Sequence, residues 1–221
     1  MTDQPTEPFS FVPGEILAAD FYEQEVHALA CALLGCVLVR HDDDAQLLAG
    51  RIVEVEVYTG PGDLASHART GKPTARNRPM FGPPGTAYIY KIYGMYDCLN
   101  IVAEPEGHPA AILIRALEPL ASIAHMATRR ALIASPTGEL TVAQTRKIAS
   151  GPGKLCQAMA IDKHLNALPL DSPTLCLIAH TPIDDTQLAT SPRIGLNPKT
   201  CGEAHDWPWR YTVAGSKYLS R

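Results

Sequence analysis

Apolar residues between positions 26 and 34 recur at the three- and four-residue spacing of one helical face. Before them, Asp20 and Glu23 have the spacing of a capping box, and Gly35 after them is a suitable stop. The pattern predicts a helix that begins at Asp20 and ends before Gly35.

Apolar and polar residues alternate strictly at the end of the segment 46–58, which reads Arg51-Ile-Val-Glu-Val-Glu-Val-Tyr58. The alternation predicts a strand with three valines on one face and Glu54, Glu56 and Tyr58 on the other. The plain interpretation of this polar face is that it lies in solvent.

A long connection over residues 59–85, rich in glycine, proline and basic residues, separates this strand from the following ones. Further strands are predicted over 36–40, 86–92, 97–104, 110–117, 175–180 and 210–214, and helices over 119–132, 141–149 and after Gly151. No linker clearly divides the chain. We therefore expect a flexible tail over residues 1–13 and one α+β domain over 14–221, with a mostly antiparallel sheet and flanking helices.

The composition is that of a soluble globular protein, with 221 residues, of which 46% are hydrophobic and 19% are charged. No apolar run approaches the ~18 residues of a membrane span, and the N-terminus lacks a signal-peptide pattern, so we expect a cytoplasmic protein. The six cysteines form no CxxC pair, and no HExxH occurs. We therefore expect neither a disulfide framework nor a metal site.

Positive charge is concentrated in one segment. Residues 64–96 contain five Lys and Arg and no Asp or Glu, so this segment carries +5, the whole chain −4 and the remainder −9. The segment also contains four of the eight tyrosines. Basic residues followed by clustered aromatics are typical of a polyanion site with a stacking platform. A solvated loop followed by an aromatic-rich strand fits the composition equally well.

Glu56 and Tyr58 share a predicted strand face directly before the basic loop, where a carboxylate could act as a general base beneath a stacked ligand. Arg115 lies inside an apolar strand, and an unpaired guanidinium there would be costly. Glu54, Glu56 or Glu118 could be its partner. A structural ion pair would explain Arg115 as well as a catalytic role would.

The predicted turn Tyr93-Gly-Met-Tyr96 carries large apolar side chains where turns normally carry polar ones. Exposed aromatic and Met side chains at a hairpin tip suggest a wedge that enters a partner, for example between stacked bases. Alternatively, a neighbouring loop covers them. Asn100 lies in an otherwise apolar strand, so its amide must be hydrogen-bonded or contact a ligand.

These motifs, taken in order, resemble the alkyladenine (3-methyladenine) DNA glycosylase family. The similar blocks are Arg51-Ile-Val-Glu-Val-Glu-Val-Tyr58, His67, Arg76-Asn-Arg78, Met80-Phe81, Pro84-Gly85-Thr86, Tyr88-Ile-Tyr-Lys-Ile-Tyr-Gly-Met-Tyr96, Cys98-Leu-Asn100, Arg115-Ala-Leu-Glu-Pro119 and Ser150-Gly-Pro-Gly-Lys-Leu-Cys-Gln157. The resemblance covers residues 14–221, and the Tyr-Gly-Met-Tyr and Arg-Ala-Leu-Glu-Pro blocks are the most specific.

The resemblance implies a curved, mostly antiparallel sheet with a protruding β-hairpin that inserts into DNA. It implies a monofunctional glycosylase that flips alkylated or deaminated purines of the 3-methyladenine, 7-methylguanine and hypoxanthine type out of DNA and hydrolyses their N-glycosidic bond in base excision repair. No metal or organic cofactor is expected. The expected partner is damaged double-stranded DNA, bound by a monomer that associates with the nucleoid and not with membranes.

By motif position, the resemblance implies that Glu56 activates water and that Arg115 supports it. The implied base-binding residues are the aromatic walls Tyr58, His67 and Tyr90, together with Asn100, which would sense the purine's substituents. The implied DNA contacts are the wedge Tyr93 and the residues Met95, Lys72, Thr74 and Met80.

Two other functions remain open at this level. A nucleic-acid-binding module without catalysis could use the same hairpin and loop, but it would need neither Glu56 nor Arg115. A glycosylase–lyase would need a lysine nucleophile, for which Lys72 and Lys91 are the nearest candidates.

Overall fold

The structure is a computed structural model that describes residues 16–134, 136–179 and 182–220, so the predicted tail over 1–13 lies outside the described residues. Within these ranges the helices are α1 (Val26–Leu33), α2 (Ile123–Arg129), α3 (Val142–Thr145), α4 (Pro152–Ala158) and α5 (Pro198–Cys201). The strands are β1 (Val37–His41), β2 (Leu47–Tyr58), β3 (Ala87–Ile92), β4 (Tyr96–Ala103), β5 (Ala110–Ala121), β6 (Leu175–Ile178), β7 (Leu188–Ser191) and β8 (Arg210–Val213). In this part of the chain, no helix is both long and apolar enough to cross a membrane.

The strands form one antiparallel sheet in the order β3-β4-β5-β2-β1-β6. Strand β5 pairs with one edge of β2 over most of its length. The opposite edge of β2 is shared, because β1 pairs with residues 47–51 and β8 pairs with residues 54–56. Strand β7 extends the sheet beyond β8. The predicted single α+β domain with a mostly antiparallel sheet is confirmed.

The main hydrophobic core lies between one face of the sheet and the helices α1, α2 and α4. Val55, Ile101 and Ile112 face this core from three neighbouring strands, and Leu29 and Leu155 face it from α1 and α4. Burying each such side chain contributes roughly 1.5–3 kcal/mol. Because side chains alternate along a strand, the strand residues that alternate with these core-facing residues face the other side of the sheet.

A second, smaller cluster lies on that other side, under the long connection 59–85. Ala68 and Met80 of the connection pack there against Tyr88, Val102 and Ala111 of β3, β4 and β5. The connection is thus packed against the sheet beside the row of polar residues described below.

The predicted helix start at Asp20 is wrong. Asp20 lies in a separate 3-10 helix, Ala19–Glu23, whose first residue is not capped by a side chain. Helix α1 begins only at Val26, where the Glu25 carboxylate accepts hydrogen bonds from the backbone N–H of the second and third residues of the helix at 3.0 Å each. Gln24, between the two helices, has extended backbone angles that interrupt the helix.

The predicted helix from residue 119 also begins too early, because β5 continues through Pro119 to Ala121. Pro119 lies opposite Gly50, next to an irregularity in the β2–β5 register, where a missing N–H is tolerated. Helix α2 then begins at Ile123, after Ser122 adopts a left-handed φ of 51°. Strand β7 was not predicted, because it is short and lacks buried residues.

Candidate active site

Neighbouring strands bring polar side chains into one row on the sheet face opposite the main core. Backbone pairing sets Tyr88 opposite Asn100, and Asn100 opposite Leu113. Leu113 in turn lies opposite Glu56. Directly opposed residues point to the same side of a sheet, so three separate segments contribute to one site.

The polar face of β2 is buried. The plain interpretation, that this face lies in solvent, is wrong. Glu54 and Glu56 both have 0% exposure, and Tyr58 is only partly exposed. Two carboxylates can be buried only if hydrogen bonds and opposite charges compensate for lost hydration.

Three donors hold the Glu56 carboxylate. Its Oε2 accepts hydrogen bonds from the Tyr58 hydroxyl at 2.8 Å and from Nη1 of Arg115 at 3.1 Å. Its Oε1 accepts one from the backbone N–H of Ile194 at 2.6 Å. Burial raises the pKa of Glu56, and the nearby Arg115 charge only partly opposes this effect. A raised pKa makes the carboxylate a stronger base than an exposed glutamate.

Glu54 lies two residues away in a different environment. It accepts hydrogen bonds from Nε of Arg115 at 3.0 Å, Nε of Arg210 at 2.7 Å, and the backbone N–H of Ser220 at 2.6 Å. Burial alone would raise the pKa of Glu54, but the hydrogen bonds from Arg210 and Ser220 and the charge of Arg115 outweigh it, so the pKa is lowered. Glu54 is therefore the permanent counter-charge of the two arginines.

Arg115 thus binds two of its three candidate partners, Glu54 and Glu56. The third candidate, Glu118, faces Arg51 at 3.8 Å. The Arg115 guanidinium also donates to the Ser220 hydroxyl, at 3.3 and 3.1 Å. Arg115 therefore bridges Glu54, whose pKa is lowered, and Glu56, whose pKa is raised.

Aromatic rings line a small cavity beside Glu56. The His67 ring lies 4.5 Å from the Tyr90 ring between centroids, at 77°, and its Nδ1 is 2.8 Å from the Tyr88 hydroxyl. Burial, assisted by the charges of Arg76 and Arg69, lowers the pKa of His67 to about 4. The imidazole is therefore neutral at neutral pH.

The cavity has a volume of about 20 Å³, little more than the ~10–15 Å³ that one water needs. It is lined by Tyr58, Ala65, His67, Met80, Tyr88, Tyr90, Asn100 and Ala111. Asn100 Nδ2 donates to the Tyr88 carbonyl at 3.0 Å, which fixes the amide orientation. Met80 has 1% exposure and belongs to this lining. A purine could enter only if the rings moved apart.

Asn77 holds the basic loop beside His67. It is buried, and its Nδ2 donates to the carbonyls of His67 and Lys72 at 2.9 and 3.2 Å. Its Oδ1 accepts from the backbone N–H of Thr74 at 2.5 Å. Lys72 and Thr74 are exposed, although the Thr74 hydroxyl also donates to Oδ1 of Asn77 at 3.0 Å. Asn77 therefore fixes the backbone of both residues at the surface.

The turn between β3 and β4 presents its large side chains to solvent. Tyr93 and Met95 are 84% and 67% exposed, so the alternative that a neighbouring loop covers them is wrong. Tyr93 has a φ of 51°, which is strained for a bulky residue. A strained and exposed aromatic residue favours a functional role.

The sequence did not reveal a second buried ion pair beneath Tyr58. Nη1 and Nη2 of Arg193 donate to Oδ2 and Oδ1 of Asp63 at 2.7 and 2.9 Å, and both side chains have 0% exposure. Ile194, Arg210 and Ser220 were also missed. Each contacts β2 from more than 130 positions away, and no local pattern marks such pairs.

Within the described residues, no group of three or more His, Cys, Asp or Glu could hold a metal ion. Lys91 pairs with Asp97, with Nζ 2.6 Å from Oδ2, and Lys72 is exposed. Neither lysine lines the aromatic cavity.

Comparison with known proteins gives a consistent result. The model of the methylpurine-DNA glycosylase (MPG) family matches residues 20–217. A human protein named DNA-3-methyladenine glycosylase is 41% identical over 219 residues, which cover 96% of this chain and 71% of that protein. The mouse protein of the same name is 42% identical, covering 92% of this chain and 61% of its own length. A Clostridium tetani protein, whose name also describes a 3-methyladenine DNA glycosylase, is 40% identical over 91% of this chain and 97% of its own length. The chain therefore belongs to the methylpurine-DNA glycosylase family, and it is a DNA-repair hydrolase of the N-glycosylase type.

Proposed function

We propose that this protein flips alkylated or deaminated purines of the 3-methyladenine, 7-methylguanine and hypoxanthine type out of duplex DNA and hydrolyses their N-glycosidic bond. The observation that carries the proposal is the buried Glu56, held by three donors at the edge of an aromatic cavity. A stacked purine cannot be attacked inside a duplex, so extrusion must come first, at a cost of a few kcal/mol.

In the proposed reaction, Glu56 accepts a proton from a water molecule, and the water oxygen bonds to the sugar carbon. The bond from that carbon to the purine nitrogen breaks, and its electron pair leaves with the base. A methylated purine carries a positive charge, so it departs as a neutral molecule, whereas hypoxanthine departs as an anion that takes up one proton from the solvent, to which Glu56 returns its own. Arg115 and the Ile194 N–H hold the carboxylate in place throughout.

Tyr58, His67 and Tyr90 are proposed as the walls that stack on the flipped base. Their support is the geometry of the cavity, which these rings line together with Asn100. The neutral His67 imidazole adds no repelling charge to a cationic base. Asn100, with its amide held by the Tyr88 carbonyl, is proposed to sense the substituents of the purine.

Tyr93 is proposed to fill the gap left by the extruded nucleotide, with Met95 beside it. The exposed side chains of Lys72 and Thr74 are proposed to contact the DNA backbone near the basic loop. Met80 remains a proposed contact, but its burial in the cavity lining favours the flipped base over the phosphates.

The test is Glu56→Gln, which keeps the shape of the side chain and removes its basicity. We expect release of 3-methyladenine from methylated duplex DNA to fall by ~10²–10⁴-fold while binding to the lesion persists. The matched control is Glu118→Gln, because Glu118 is a partly exposed carboxylate paired only loosely with Arg51.

Assaying free base and strand nicks together separates the alternatives. Release of base without nicks supports the proposal. Binding without release by the wild-type protein would indicate a non-catalytic module, and nicking of the strand by the wild-type protein would indicate a lyase. Normal release by Glu56→Gln would eliminate Glu56 as the base.

A further inference from the structure

The Tyr58 ring has a cation behind it. Cζ of Arg193 lies 4.7 Å from the ring centroid of Tyr58 and 5.1 Å from that of Trp209. Tyr58 belongs to the lining of the aromatic cavity and Arg193 does not. The guanidinium therefore contacts the ring from outside the cavity.

Arg193 cannot turn away from this ring. Its two terminal nitrogens make four hydrogen bonds, two to Asp63, one to the Val57 carbonyl at 2.9 Å and one to the Ala204 carbonyl at 3.0 Å. The side chain has no solvent exposure. A guanidinium so fixed and desolvated acts on the ring without screening by water, and the Asp63 carboxylate offsets only part of its charge.

We propose that Arg193, fixed by Asp63, is a positioning residue that acts through Tyr58 and reduces the preference of the cavity for positively charged purines over neutral ones. An aromatic ring attracts cations through the negative potential above and below its plane. With one cation permanently on the outer face, a second cation on the inner face meets a weaker attraction and a repulsion across the ring. The binding of a neutral purine is not weakened in this way, because its stacking depends on buried surface and dispersion.

The second wall carries a weaker version of the same arrangement. Cζ of Arg76 lies 5.3 Å from the Tyr90 ring centroid, but Arg76 is exposed and water screens it. Arg193 is therefore the dominant cation. This inference rests on the proposed function, and it extends it by assigning the acceptance of neutral, deaminated purines to one ion pair.

The experiment compares two bases that differ in charge and not in shape. In a Glu56→Gln background, we would measure Kd for duplexes containing either 7-methylguanine, which is cationic, or 7-deaza-7-methylguanine, which is neutral. We expect the two values to lie within about threefold of each other. In Asp63→Asn/Arg193→Gln, which removes both buried charges together, the preference for the cationic base should rise by about 3- to 10-fold.

Arg193→Lys keeps the positive charge and should keep the original ratio of the two Kd values. If the double variant acted only through a structural defect, Arg193→Lys would change this ratio as well. The ion pair Asp42–Arg129 lies outside the cavity, so Asp42→Asn/Arg129→Gln is the matched control and should not change the ratio. A ratio unchanged in the Arg193 double variant, or raised equally in Arg193→Lys, would overturn the inference. If the double variant does not fold, a preference above about tenfold for the cationic base in the Glu56→Gln protein would overturn it. A ratio within threefold would support it.

The outcome is independent of the proposed chemistry. Failure of the wild-type protein to release 7-methylguanine would reject the proposed function whatever the Kd ratio, and normal release of 7-methylguanine with an unchanged Kd ratio would reject only the role of Arg193.

Discussion

Glu54 and Glu56 are identical side chains on one strand face, yet their pKa values shift in opposite directions. Burial disfavours the charge of both. Glu54 is compensated by Arg210 and Ser220 in addition to Arg115, whereas Glu56 has Arg115 as its charged partner together with two neutral donors. The number of charged hydrogen-bond partners therefore decides which carboxylate has a lowered pKa and which has a raised one.

The raised pKa of Glu56 predicts the pH dependence of base release. In the proposed reaction the ionised form of Glu56 is the base, so the rate should fall with decreasing pH, and the midpoint should lie above the ordinary glutamate value of 4.5. Single-turnover release measured across the acid range checks this. A midpoint at or below 4.5 would contradict the assignment.

The raised pKa of Glu56 also makes the stability of the protein depend on pH. A folded-state pKa above the unfolded one means that the folded protein binds the proton more tightly, so the stability due to Glu56 decreases as pH rises through the folded pKa. Glu56→Gln should then be at least as stable as the wild type at neutral pH, and its advantage should vanish below pH 4.5. Urea unfolding at the two pH values measures the difference.

At the scale of elements, the β3–β4 hairpin provides the clearest prediction. Tyr93→Ala should weaken binding to a duplex lesion and slow its excision, because aromatic–base stacking contributes ~1–3 kcal/mol. The effect should be much smaller on single-stranded substrate, where little stacking is lost. Excision on both substrates and the melting temperature are the measurements.

Val142→Ala is a suitable control for Tyr93→Ala, since Val142 is another exposed apolar residue, at 67%, in a different element. Equal losses on duplex and single strand for Tyr93→Ala would reject the wedge. A lowered melting temperature would indicate instead that Tyr93 supports the fold.

Local patterns in the sequence were sufficient for most of the sheet and for the shared face of one strand. Two-residue alternation predicted that Glu54, Glu56 and Tyr58 share a face, because the period of a strand is a local property. It did not predict that this face is buried. The groups that bury it, such as Ile194 and Ser220, come from distant segments, and a single sequence gives no local signal for such contacts.

Errors at element ends have a similar origin. The helix predicted from Asp20 had correct capping spacing, but Glu25 provides the cap that is used. The helix predicted from Pro119 was displaced because pairing with β2 continues through the proline. In the first segment one local cap replaced another, and in the second tertiary pairing outweighed a local signal.

For the whole molecule, the charge distribution predicts salt-dependent binding despite a net charge of −4. The five cations of residues 64–96 are all exposed, and each that contacts a phosphate should contribute about −0.9 to the slope of log K against log salt. Lys72→Gln should make the slope less steep by about this amount. Lys199→Gln changes the net charge equally outside the segment and should leave the slope unchanged. Equal effects of the two substitutions, or binding that ignores salt, would contradict this location of the DNA surface.

The shared edge of β2 has a consequence for the order in which the protein becomes competent. Glu54 and Glu56 leave the ribosome early, but Ile194, Arg210 and Ser220 are synthesised well over a hundred residues later. Until then, the second half of that edge is open, Glu54 lacks Arg210 and Ser220, and Glu56 lacks the Ile194 N–H. During synthesis the growing chain can therefore form its hydrophobic core before it can complete the hydrogen bonds of Glu56, so the proposed catalytic site is completed late in folding.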